Sequence, residues 1–133
     1  MMKTCFAAAA ITLALSSAAM AQPTTVHKTT LQTLAFPGAT YNTVTVRALV
    51  DQGGMVGRHT HPGVEMAYIV SGKALVKIMG RADQTVTTGD TFAVSPNTPH
   101  SVQNVGPGPL TIISTYVVDK AKPIATPAPL PGS

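Results

Sequence analysis

The feature that most restricts this chain is the period of two in its short apolar runs. From Thr24 to Gly54 apolar and polar residues alternate, most clearly from Thr43 to Val50, so that Val44, Val46, Ala48 and Val50 share one face of an extended strand. The same pattern covers Glu65–Val70, Lys73–Met79, Gln84–Thr88, Thr91–Val94, Ser101–Val105 and Leu110–Val118, each bounded by Gly, Pro, Asn or Asp. No segment holds a 3.6-residue period long enough for a long helix. Many short strands rich in Val, Ile and Thr, with turns at close spacing, predict an all-β antiparallel sandwich or barrel rather than an open α/β sheet. Glycines at Gly53, Gly72 and Gly89 punctuate the expected turns.

The 133 residues suffice for one domain with a modest core. The first 21, MMKTCFAAAAITLALSSAAMA, have a lysine near the start, an apolar run from Phe6 to Leu15 and a small-residue ending, the layout of a secretory signal peptide cleaved after Ala21. The run is too short to span a membrane, so the expected product is periplasmic or secreted. The only cysteine, Cys5, falls in this leader. Residues 22–133 therefore allow neither disulfides nor thiolate chemistry, and any metal there must be held by nitrogen and oxygen. Without Lys3 that part carries eight Lys and Arg against five acids, and the cations are scattered singly. No basic stripe with aromatic platforms exists, which argues against a nucleic-acid partner. The expected domain occupies residues 22–118. From Asp119 to Ser133 four prolines and no strand period predict an extended tail, read as simple disorder ahead of docking onto a neighbouring subunit.

One stretch, GGMVGRHTHPGVEMAYIVSG from Gly53 to Gly72, carries chemistry. His59, His61 and Glu65 have the same parity, so on extended backbone their side chains leave one face and can converge. Pro62-Gly63 interrupts the regular run, which makes the parity firm for the two histidines and weaker for Glu65. His100, on a later strand after a Pro-rich turn, is the one other histidine beyond the N-terminal His27. Three imidazoles and a carboxylate suit a divalent transition metal and leave coordination positions open for a reactant.

The spacing Gly53-x5-His59-x-His61-x3-Glu65-x6-Gly72 resembles the first motif of the cupin superfamily, and GDTFAVSPNTPHSVQN from Gly89 to Asn104 resembles the second. The second departs at Thr98, where a glycine is usual, and its proline-to-histidine spacing is one shorter, with Pro99 directly before His100. The resemblance covers the motif core, residues 53–104. It implies a double-stranded β-helix, or jelly roll, with one divalent metal inside, held by His59, His61, Glu65 and His100. Iron or manganese is favoured over zinc, nickel or copper. It also implies a small-molecule substrate and a homodimer paired through its sheets.

Other residues read more plainly. Asn104 suits a hairpin cap, His27 solvent, and Tyr68 the outer face by its parity opposite to Glu65. Arg58 is placed to steer an anionic ligand at the barrel mouth, although a lone surface arginine is the commoner case. No second carboxylate, Ser-His-Asp arrangement or cysteine nucleophile lies in the motif region, so catalysis would fall to the metal. The expected function is metal-dependent chemistry on a small organic molecule, dioxygenase-like ahead of isomerase or lyase. A non-catalytic periplasmic module that binds a metal or small ligand is the alternative, and a barrel serving mainly oligomer assembly is a third.

Overall fold

Leu110, Ile112, Ser114, Tyr116 and Val118 alternate with half-buried residues along one ten-residue strand, and this strand organises the molecule. The computed structural model describes residues 25–130; the expected signal peptide lies outside them. In chain order the strands are β1 (Val26–Ala35), β2 (Tyr41–Val50), β3 (Met55–Thr60), β4 (Gly63–Ser71), β5 (Lys73–Ile78), β6 (Gln84–Thr87), β7 (Thr91–Val94), β8 (His100–Asn104), β9 (Leu110–Asp119) and β10 (Thr126–Pro127). No helix occurs among the described residues.

Two five-stranded sheets run β1-β2-β9-β4-β7 and β10-β3-β8-β5-β6, every pairing antiparallel. This is the jelly roll that the resemblance implies. β9 lies at the centre of the first sheet, paired along its length with β2 on one side and β4 on the other. Between the sheets, Val50, Ile69, Ala74, Val76 and Leu110 are fully buried in one aliphatic cluster. Burying a side chain of the Val, Leu or Ile class contributes roughly 1.5–3 kcal/mol. A smaller cluster joins Val46, Tyr116 and Val118.

The turn from β3 to β4 depends on one glycine. A Cβ on Gly63 would stand 1.9 Å from the Val117 carbonyl oxygen, so only glycine lets β4 enter against β9 at that point. Gly53, Gly72 and Gly89 all take positive φ, as their turn positions predict. Asn104 also has the expected structural role: its Nδ2 faces the carbonyls of Val50, Asp51 and Gly108, and its Oδ1 accepts from the Gly106 amide.

Two strands lie outside the expected set. β3 is diluted by Gly57 and is irregular between Val56 and His59, which hides its alternation. β10 comes from the Pro-rich tail. That tail does not stand free: Thr126 and Pro127 pair with Thr60 and His59, and the Ala128 amide donates to the Arg58 carbonyl. The pairing uses main-chain groups over two residues, which needs no hydrophobic period and so leaves no sequence signal.

Candidate metal centre

β3 and β8 are neighbours in the second sheet, and their register sets His59 opposite His100. His61 follows directly after β3, and Glu65 points inward from β4, where buried and exposed residues alternate strictly from Gly63. The interruption at Pro62-Gly63 thus leaves the parity of Glu65 intact. All four side chains are buried, at 8% relative exposure or less. The three histidines offer ring nitrogens within 4.8 Å of one another.

The hydrogen bonds fix which nitrogen each ring turns inward. His59 Nδ1 lies 2.7 Å from the Gly57 carbonyl, His100 Nδ1 lies 2.9 Å from the Thr98 carbonyl, and His61 Nδ1 is hydrogen-bonded to the Ile124 carbonyl. A carbonyl oxygen only accepts, so all three Nδ1 atoms are donors. A neutral ring that donates from Nδ1 keeps a bare lone pair at Nε2. The Nε2 atoms of His59 and His61 are 3.1 Å apart, and Glu65 Oε2 lies 3.2 Å from His61 Nε2 and 3.1 Å from His100 Nε2. Acceptors therefore face acceptors at the centre of the group. Nitrogen and oxygen lone pairs arranged in this way suit a bound cation, and the imidazole-carboxylate donor set fits a divalent transition metal.

The electrostatics agree with that arrangement. Burial, with the neighbouring His100, His61 and Lys28, lowers the pKa of His59 to about 4 against the pull of the Gly57 carbonyl, so the ring is neutral at physiological pH. Burial works to raise the Glu65 carboxyl, but its close contacts with His100, His61 and Ser114 outweigh it and hold Glu65 below the usual carboxylate range. Glu65 is therefore a carboxylate.

Sequence reasoning missed two side chains at this site. Tyr116, buried on β9, donates its hydroxyl to Glu65 Oε1 at 3.1 Å and packs its ring against His61 with centroids 4.6 Å apart. Burial and then the Glu65 charge push its phenol well above the usual value, so it stays a donor. Its signal was a polar pair, Ser114 and Tyr116, on the inward parity of an otherwise Leu-Ile-Val strand. Lys28 sits on β1 directly opposite Ala48, whose side chain is in the core, so the lysine leaves the strand on the inner face. Its signal was present only in the strand register.

A chamber of about 20 Å³ adjoins the imidazoles, walled by Phe92, Val102, Ile112, Tyr116 and the foot of Lys28. It has room for about one water-sized ligand. A wider cavity of about 370 Å³ opens beyond it, sharing Lys28, Val56 and His59 and bounded by Arg58, Ala125 and Pro127. A larger hollow of about 480 Å³ on the β4-β7 side is lined by Met66, Tyr68, Arg81 and Thr91 and includes none of the four clustered residues. Tyr68 is on that outer side and His27 is exposed, as their positions predict.

Comparison with known proteins places this geometry. Residues 46–116 match the family model described as a cupin domain. Among solved structures, the DMSP lyase DddQ from Ruegeria pomeroyi DSS-3 superposes with a TM-score of 0.66 at 16% identity, over 81% of this chain and 54% of that one. An uncharacterized conserved protein with a double-stranded β-helix domain from Klebsiella pneumoniae gives 0.65 at 19% identity, over 79% and 85%. Oxalate decarboxylase from Bacillus subtilis gives 0.54 at 27% identity, over 58% and 22%. The chain thus spans about half of the lyase and under a quarter of the decarboxylase. Among curated protein sequences none matches.

Proposed function

This chain belongs to the cupin family, and from that premise we propose that it is an exported metal-dependent enzyme acting on a small organic molecule. His59, His61, Glu65 and His100 would hold one divalent ion, iron or manganese ahead of zinc, nickel or copper. The observation that carries this reading is the set of three Nδ1 donors, each engaged by a backbone carbonyl, which leaves three Nε2 lone pairs and the Glu65 carboxylate converging.

Such an ion supplies Lewis acidity or redox capacity at its open positions. The chain supplies the rest. The carbonyls of Gly57, Thr98 and Ile124 orient the rings, and Tyr116 holds one oxygen of Glu65 while the other faces the histidines. Phe92, Val102 and Ile112 keep bulk water from the inner chamber. That chamber has about the size of one small ligand, which supports dioxygenase-like chemistry ahead of the isomerase or lyase chemistry that the names of the lyase and decarboxylase neighbours would favour. The reading also includes a homodimer, supported by the exposed apolar row Val64, Met66, Tyr68 and Val70 along β4.

The test is elemental analysis of residues 22–133 purified without a tag from the compartment of export, beside the His59→Ala/His61→Ala double variant. One equivalent of iron or manganese in the wild type, lost in the variant, together with oxygen consumption on enol or α-hydroxy substrates, is expected. Stoichiometric metal without turnover on any such compound would favour the non-catalytic binding module, and no stoichiometric metal would end the enzyme reading.

A further inference from the structure

The wider cavity has a charge character that its position gives to the substrate. Its walls are Lys28, Val56, Gly57, Arg58, His59, Ala125 and Pro127. Two of these are cations and none is an acid. Lys28 is the cation that the β1-β2 register turns to the inner face, and it borders both the inner chamber and the outer cavity. No hydrogen bond or ion pair among the described residues engages its ammonium, whereas Lys77, Lys120 and Lys122 each have a carboxylate or carbonyl partner. Arg58 is half-buried beside it, and its Nε is enclosed without a hydrogen-bond partner. A buried donor without a partner is unfavourable, and an acceptor arriving from outside the chain would satisfy it. The sequence alone leaves Arg58 between a lone surface cation and a residue that steers an anionic ligand; in the fold it lines a cavity together with Lys28.

The dimensions add a second restriction. An inner chamber of about 20 Å³ cannot take an organic molecule, whereas about 370 Å³ at its mouth accommodates one of several heavy atoms. Besides Gly57 and the imidazole of His59, the uncharged lining there is Val56, Ala125 and Pro127, aliphatic and without a Phe or Tyr platform. A ligand of the right kind is short and aliphatic, and bears an anionic group that two cations can share.

We propose that this cavity binds a small aliphatic carboxylate, with Lys28 and Arg58 as the residues that recognise its charge and orient it toward the imidazole cluster. The inference rests on the metal-dependent reading given above and narrows its substrate class. Both cations act on specificity. Neither is assigned a part in bond making.

The test compares two three-carbon ligands that share a 2-hydroxyl and differ at C1, a carboxylate in L-lactate and a neutral CH2OH in propane-1,2-diol, by calorimetric titration of the manganese-loaded protein. Wild type is expected to prefer lactate, and that preference is expected to fall about tenfold in Lys28→Gln and in Arg58→Gln, while Lys73→Gln, an exposed lysine elsewhere, leaves it unchanged. The preference is also expected to shrink as salt rises. A bound cation by itself favours a carboxylate, so the variants decide: a lactate preference that survives in both, or no lactate binding at all, overturns the proposal. If manganese fails to load, the metal-dependent reading falls. The same titration of the metal-free protein then tests the cavity by itself, with loss of lactate binding in the two variants still the expected result.

Discussion

Two of the three clustered imidazoles are held by their own neighbourhood, and the third is not. His59 and His100 each donate to the carbonyl two residues earlier, Gly57 and Thr98, within or beside the strand that carries the ring. His61 donates to Ile124, 63 residues further along the chain. The difference is one of independence. A local carbonyl belongs to β3 or to the turn before β8, whereas Ile124 lies in the tail, two residues before β10, which pairs with β3. The first two rings are set by the sheet and the third by a segment that the sheet could lose.

The largest expected effect removes a ring outright and so bounds the comparison: His100→Ala should abolish stoichiometric metal, read by elemental analysis. Ending the chain after Lys122 should then weaken metal binding about 10- to 100-fold, the range for loss of a partner that orients a ligand, while circular dichroism stays that of a β protein. Unchanged affinity would mean that His61 needs no remote partner and would erase the distinction. Tyr116→Phe probes a support that is distant in sequence but carried by the central strand; an affinity loss of about tenfold is expected from removing one hydrogen bond to a carboxylate.

A smaller effect appears in the metal-free protein. Because His59 titrates at about 4 when folded and near 6.5 when unfolded, the unfolded chain takes up the proton first. Stability should therefore decline as pH falls from 6.5 toward 4, and Glu65, whose carboxyl lies below its usual range, adds to the loss only below about 4.5. Thermal melts of wild type against His59→Gln should show a shallower slope in the variant. The smallest change is expected from Ile124→Ala, which keeps the carbonyl and should alter metal affinity less than about twofold; a larger loss would move the role from the backbone to the side chain.

Much of this site was legible because parity survives folding. His59 on β3 and Glu65 on β4 belong to different sheets, yet burial alternates without a break through His59, His61, Gly63 and Glu65, so the parity read from the sequence carries across the corner. His100 needed only an adjacent antiparallel strand. Tyr116 was harder, since one phenol in an apolar run reads as packing until the strand opposite it is known. Lys28 depends wholly on register: β1 shifts by a residue between Thr30 and Gln32, and nothing in its composition says which residue opposes Ala48. The tail is the clearest limit. It meets β3 and His61 through main-chain carbonyls and amides, groups that carry no residue-specific signal, so neither proline content nor hydropathy distinguishes a docked segment from a free one.

The position of Ile124 in the chain also orders events in time. A polypeptide is made from its amino terminus, and the donors and their supports at residues 57, 59, 61, 65, 98, 100 and 116 all precede residue 124. A chain that has not yet reached residue 124 lacks the carbonyl partner of His61 but already contains those of His59 and His100. If the cluster holds an ion, as proposed, the carbonyl that orients His61 is the last of its supports to be synthesised, so that ring is the last to be fixed.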